Sequence, residues 1–210
     1  RNIYDSFDKY TTIEMLDGEN QYEAGDHGKQ DAQKGVTFES FPPVLTIHLK
    51  RFDFDLQTMG FTKIHDYYEF PLRLELDQYL APDCPEEARA VPNIYVLHSV
   101  LVHQGDVGGG HYYAYIRPST GNFAYGAAAP GEQSILGSVE ALHQAMAYTD
   151  KDSQWFKFND EVVLPVSQRE AVNHCYGRRM KDSEFFRGMS SAYMLVYIRE
   201  SNAAEIMRPI

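Results

Sequence analysis

Residues 93–105, NIYVLHSVLVHQG, are β-branched and almost wholly apolar. The run lacks the polar alternation of a half-exposed strand. It therefore reads as a strand covered on both faces, the interior of a sheet around which the rest must be arranged. HYYAYIRP (111–118) follows across GDVGGG and reads as its neighbour, joined by a glycine-rich turn. Glycine ahead of a strand costs backbone entropy and packs nothing. Three glycines leading into His111 either serve the hairpin alone or let something approach the backbone beside that histidine.

The remaining segments supply more strand than helix. YDSFDKY (4–10) suits a short helix capped by Asp5 or Ser6. Residues 16–35 are polar and glycine-punctuated, a loop or extended hairpin region. PPVLTIHLKRFDF (42–54) reads as one strand, with Leu45, Ile47 and Leu49 on one face. Residues 67–80 alternate in parts, and Pro71 marks an edge or a bend; 81–92 read as a loop. QWFKFNDEVVLPV (154–166) is a further strand. Ser167 and Glu170 form a capping box before a short helix ending near Gly177. SAYMLVYIRES (191–201) is a terminal strand. Residues 119–153, rich in Ala, Gly and Ser, read as an insertion, with helical spacing over 138–148. Mostly antiparallel strands with few helices make the fold class α+β, β-rich.

Composition narrows the function. The chain has 210 residues, 43% of them hydrophobic, enough for one domain or a large piece of one. It starts at Arg1 and is expected to begin inside a longer protein. The net charge of −11 argues against nucleic acid as a partner, which demands a basic footprint. No apolar run approaches the roughly 20 residues that span a bilayer, so no membrane partner is expected. The two cysteines, Cys84 and Cys175, fit a reducing, intracellular setting, and neither sits in a CxxC zinc pattern.

The chemistry gathers at His111. By alternation it shares a strand face with Tyr113 and Tyr115. If 111–118 and 155–163 pair, Asn159 or Asp160 can reach the imidazole. Alternation sends Asn159 to one face and Phe158 and Asp160 to the other. A histidine oriented by an amide or a carboxylate is the base half of a nucleophilic triad.

PPVLTIHLKRF, YEFPLRLELDQYL, YVLHSVLVHQGDVGGGHYYAYIR, QWFKFNDEVV and AYMLVYIRES occur together in this order. Together they resemble the ubiquitin-specific protease family of deubiquitinating cysteine peptidases. LDGENQYEAGDHGKQDAQKGV and AYMLVYIRES look closest to its herpesvirus-associated branch. The resemblance implies a papain-like hand. Residues 1–41 would be part of the fingers, 42–201 most of the palm with the 119–153 insertion, and 202–210 a tail; the thumb would be missing.

It further implies a thiol hydrolase that cleaves after the C-terminal glycine of ubiquitin without a cofactor. His111 is the implied general base, and Asn159 and Asp160 the orienting residues. Its partners would be ubiquitin and ubiquitinated proteins, in cytoplasm or nucleus. The ubiquitin tail ends in Gly-Gly, so Gly109 and Gly110 would let two backbones pass closely beside the scissile bond. Phe52 and Tyr112 match residues walling that channel; Arg51, Lys63 and His103 match positions that contact the tail. Segments 103–110 and 55–62 resemble a pair of mobile blocking loops. Ala24 and His27 stand where relatives carry zinc-binding cysteines, so no metal is implied. The family's nucleophile block is absent, and Cys84 and Cys175 do not have its order. The thiol is therefore expected upstream. The alternatives are a ubiquitin-binding pseudo-protease or scaffold, and a papain-like hydrolase with another substrate.

Overall fold

A computed structural model describes residues 1–118, 154–177 and 190–208. The expected insertion at 119–153, with its helix at 138–148, lies outside them. The chain divides into two compact units, one of Arg1–Phe41 with Glu75–Asn93, the other of Pro42–Leu74 with the chain from Ile94 onward.

In the first unit a helix runs over Ile3–Tyr10. Its cap is Asn2, not Asp5 or Ser6. Asn2 is extended, its side chain accepts from the Asp5 amide, and the Asp5 carboxylate accepts from the Asn2 amide. Asp5 is thus the return partner of the cap, a reciprocal pairing that satisfies two orphan donors. Phe7 packs on Phe38, Phe41 and Tyr79, with Phe7–Tyr79 centroids 5.0 Å apart. The polar stretch from 14 to 34 forms two short ladders. β1 (Glu14–Leu16) pairs with β4 (Ala32–Lys34), and β2 (Tyr22–Glu23) with β3 (Lys29–Gln30).

The second unit is built on a seven-stranded sheet. Its strands are β5 (Val44–His48), β8 (Arg73–Glu75), β9 (Ile94–Asp106), β10 (Gly109–Ile116), β11 (Trp155–Asn159), β12 (Val162–Val166) and β13 (Ser190–Arg199). The order is β12-β11-β10-β9-β13-β5, with β8 added alongside β9. The apolar run at 93–105 is the interior strand. In it Tyr95, Leu97, Val100 and Val102 are completely buried. β9 and β13 pair along most of their length through register shifts near Met194 and Tyr197. The fold is β-rich α+β, as expected. No described helix is long and apolar enough to cross a membrane.

Two expected strands are broken, each for a visible reason. The segment 42–54 leaves the sheet after His48, because Arg51 turns inward to bind backbone carbonyls. β6 (Phe52–Asp55) then forms a separate hairpin with β7 (Gly60–Lys63). The segment 154–166 is a tight hairpin, since Asp160 takes a positive φ of 52° and reverses the chain between Asn159 and Val162. Short polar residues such as Asp tolerate that conformation.

Candidate functional site

β10 pairs with β9 through its whole length, from Gly109↔Asp106 to Ile116↔Ser99. The turn is therefore only Val107–Gly108, and Gly109 and Gly110 belong to the strand. On its other edge β10 pairs with β11, with Tyr115 opposite Lys157. Side chains of paired residues share a face. His111, Tyr113, Tyr115, Lys157 and Asn159 thus form one row across two strands.

His111 and Asn159 meet at the open end of that row. His111 Nε2 lies 2.5 Å from Asn159 Oδ1. An amide oxygen only accepts, so in this contact Nε2 is the donor, and Nδ1 is the ring nitrogen left to face a reacting group. Asp160 Oδ2 lies 3.7 Å from the same Nε2. Strand alternation alone would send Asp160 to the opposite face. The positive-φ turn overrides it and brings both side chains to one nitrogen. His111 and Asp160 are both exposed, with side chains 45% and 74% accessible, so their attraction is screened by water.

Behind His111 the row is locked. Tyr113 lies 6.4 Å from it, ring to ring, and Lys157 Nζ sits 4.2 Å above the Tyr113 ring. Tyr115 Oη donates to Glu170 Oε1. Burial holds the Tyr113 and Tyr115 phenols protonated by pushing both upward. Glu170 was expected in a capping box. Its amide does donate to Ser167 Oγ, while its carboxylate takes the Tyr115 hydroxyl.

The other expected binding residues lie on the opposite face of β9 and β10. His103 and Tyr112 are cross-strand partners, with ring centroids 4.7 Å apart. Phe52 meets His103 at 5.2 Å. Tyr193, which no sequence motif singled out, closes the group, 5.6 Å from Tyr112 and 6.0 Å from Phe52. Its position depends on the irregularity between Ala192 and Met194. His103 is buried, with Nδ1 unpaired. Burial first, and the Lys63 charge second, lower its proton affinity and keep it neutral.

The glycines sort into two kinds. A side chain at Gly110 would run into the His103 imidazole and the Gln104 carbonyl oxygen, so this glycine seats His103. Gly108 and Gly109 would meet nothing within 4 Å. Nothing in the described chain requires Gly109 to lack a side chain.

Arg51 and Lys63 were expected to face a ligand. Here they are 3% and 5% exposed. Arg51 donates to the carbonyls of Ala192, Ile64, Asp66 and Tyr176. Burial lowers its proton affinity, partly offset by Asp66. Lys63 Nζ donates to the carbonyls of His103 and Gly105, at 3.0 and 2.7 Å. Burial brings its pKa down to about 8.

Cys175 is 3% exposed in the single-turn helix Asn173–Cys175, and burial pushes its thiol well above the ordinary value. Cys84 is half-buried, and its amide donates to the Ala81 carbonyl. Ala24 and His27 lie at the β2–β3 turn. Among the described residues no group of three or more His, Cys, Asp or Glu side chains converges.

The family pattern for ubiquitin carboxyl-terminal hydrolase matches residues 2–197. The chain is 41% identical to ubiquitin C-terminal hydrolase 12 of Arabidopsis thaliana, covering 99% of this chain and 17% of that protein. It is 40% identical to ubiquitin carboxyl-terminal hydrolase 7 of Drosophila melanogaster, over 100% of this chain and 15% of that one. The chain thus spans about a sixth of the length of these curated relatives. Among solved structures it resembles one described as the SAGA Ubp8/Sgf11/Sus1/Sgf73 DUB module bound to ubiquitin aldehyde. The TM-score is 0.58 and the identity 25%, over 95% of this chain and 34% of that one.

Proposed function

The chain belongs to the ubiquitin carboxyl-terminal hydrolase family, among the ubiquitin-specific proteases, and from that premise we propose that the whole protein is a deubiquitinating thiol hydrolase. It cleaves the bond after the terminal glycine of ubiquitin, with ubiquitinated proteins as its substrates. The observation that carries this reading is the His111–Asn159 hydrogen bond with Asp160 beside it.

In this reading a cysteine thiol from upstream of residue 1 gives its proton to His111 Nδ1. The thiolate attacks the glycine carbonyl carbon. Asn159 fixes the tautomer by accepting from Nε2–H, and Asp160 stabilises the imidazolium by charge. The imidazolium returns its proton to the departing amine as the C–N bond breaks, leaving a thioester. Water then adds to the thioester with His111 again as base, releasing the ubiquitin carboxylate and restoring the thiol. Cys175 is unsuited to the nucleophile's role, because its thiol is buried and held protonated. Gly109 shares the His111 face of β10 and leaves open space there for the Gly-Gly tail, while Phe52 and Tyr112 stand on the other face of the hairpin.

The test is His111→Ala in the full-length protein. Turnover of a ubiquitin C-terminal amide is abolished, while ubiquitin still binds. Full activity in this variant would sink the assignment.

A further inference from the structure

We propose that Lys63 is a positioning residue for the histidine-bearing hairpin, its ammonium fixing the His103 and Gly105 carbonyls against which Gly110 and then His111 are set. The proposal rests on the reading of His111 as general base.

Among the described residues the ladder between β9 and β13 runs as far as Ser190↔Gln104. Gly105 lies one residue beyond it, and its carbonyl is taken by Lys63 Nζ at 2.7 Å. Lys63 therefore restrains β9 at two backbone oxygens flanking Gln104. Gly105 is the cross-strand partner of Gly110. The two backbones touch so closely that a Cβ on Gly105 would lie 2.7 Å from the Gly109 oxygen and 2.8 Å from the Gly110 Cα. The second residue held by Lys63, His103, places its ring where a side chain on Gly110 would stand. Gly110 precedes His111 directly. A shift of β9 at either carbonyl passes through this contact to the histidine.

The anchor is itself anchored. Ile64 donates its amide to the Arg51 carbonyl, and Arg51 binds the Ile64 and Asp66 carbonyls, so the segment after Lys63 is tied to β13 through Ala192. Asp106 attracts the ammonium, while Arg51 opposes it. Each donor from a charged group to a carbonyl is stronger than a neutral one. With this geometry Lys63 acts on the site from beneath and is not a group that meets the ligand.

The test compares Lys63→Met and Lys63→Gln with the wild type in the full-length protein. The assays are hydrolysis of ubiquitin carrying a C-terminal fluorogenic amide, and ubiquitin affinity. Misplacing the base lowers kcat by about 10- to 100-fold in Lys63→Met, with KM and Kd within about twofold. Lys63→Gln, which keeps a donor, falls less, and it decides the question if the Met variant does not fold. A rise in KM and Kd at unchanged kcat overturns the proposal and makes Lys63 a ligand contact; unchanged kinetics overturn it as well. A second readout does not depend on turnover. The His111 ring resonances shift in Lys63→Gln, and the Nε2 proton exchanges faster. Unchanged resonances overturn the proposal. If the wild type does not cleave ubiquitin, the deubiquitinase reading fails, and the resonances still decide the role of Lys63.

Discussion

Alanine at position 110 puts a Cβ into the His103 imidazole, 2.7 Å from Cε1, and 2.6 Å from the Gln104 carbonyl oxygen. The imidazole is buried, and the carbonyl belongs to the strand that β10 pairs with. Neither can give way without loss of packing or of ladder hydrogen bonds. Overpacking of this kind costs about 1–3 kcal/mol, which in a chain of this size lowers Tm by about 3–10 °C. Alanine at position 109 is the control, because nothing lies within 4 Å of its Cβ and its φ is not positive. Its stability stays within about 0.5 kcal/mol of wild type. Thermal melting of both variants in the full-length protein, followed by ubiquitin-amide hydrolysis, separates the two roles. Gly110→Ala loses stability; Gly109→Ala melts normally but loses about tenfold or more in kcat/KM, equivalent to about 1.4 kcal/mol, because the methyl group stands where the substrate tail passes. A Gly110→Ala protein as stable as wild type refutes the claim that this glycine seats His103. A fully active Gly109→Ala protein refutes the approach of a ligand backbone to that strand.

Arg51→Met removes a side-chain donor from four carbonyls, of which that of Tyr176 keeps the Tyr68 amide, and destabilises by about 3 kcal/mol or more in urea unfolding; a loss under about 1 kcal/mol contradicts its anchoring role. Lys63 has a folded-state pKa near 8, below its ordinary 10.5. Between those values the unfolded chain binds the extra proton, so this group's contribution to stability rises with pH. The stability of wild type relative to Lys63→Met therefore climbs from about pH 8 to about pH 10.5, and parallel stability curves contradict it. Iodoacetamide at neutral pH alkylates Cys84 well before the buried Cys175, as peptide mass mapping reads out; equal rates contradict the burial of Cys175.

What could be read from the chain alone was what periodicity and local chemistry carry. β9 showed as an apolar run because it is buried on both faces, and β10 followed from its neighbour and the turn. His111 and Asn159 showed because alternation put them on facing rows. Alternation alone sends Asp160 to the opposite face from His111, but alternation holds only while the strand continues, and a single positive-φ residue ends it and turns Asp160 toward the imidazole. The break after His48 escaped notice for a related reason. LKRFDF has strand composition, and only the tertiary demand of carbonyls on β13 and the following segment draws Arg51 out of the sheet. Tyr193 lies in the AYMLVYIRES block, but nothing local marks it as part of the aromatic group. Its place beside Phe52 and Tyr112 comes from an irregular register between β13 and β9, which depends on residues far apart in sequence. Glu170 carried a helix-start signal that concealed its bond to Tyr115.

In the proposed function His111 activates a thiol for attack on the ubiquitin C-terminus. The most direct measurement mixes the full-length protein, and its His111→Ala variant, with ubiquitin bearing a C-terminal electrophile, and maps the adduct by mass spectrometry. The expected result is one adduct, on a cysteine upstream of residue 1, formed quickly in the wild type and slowed at least about a hundredfold in the variant, the lower end of what a positioned base supplies. An adduct on Cys84 or Cys175, or one formed equally fast without the imidazole, would contradict it.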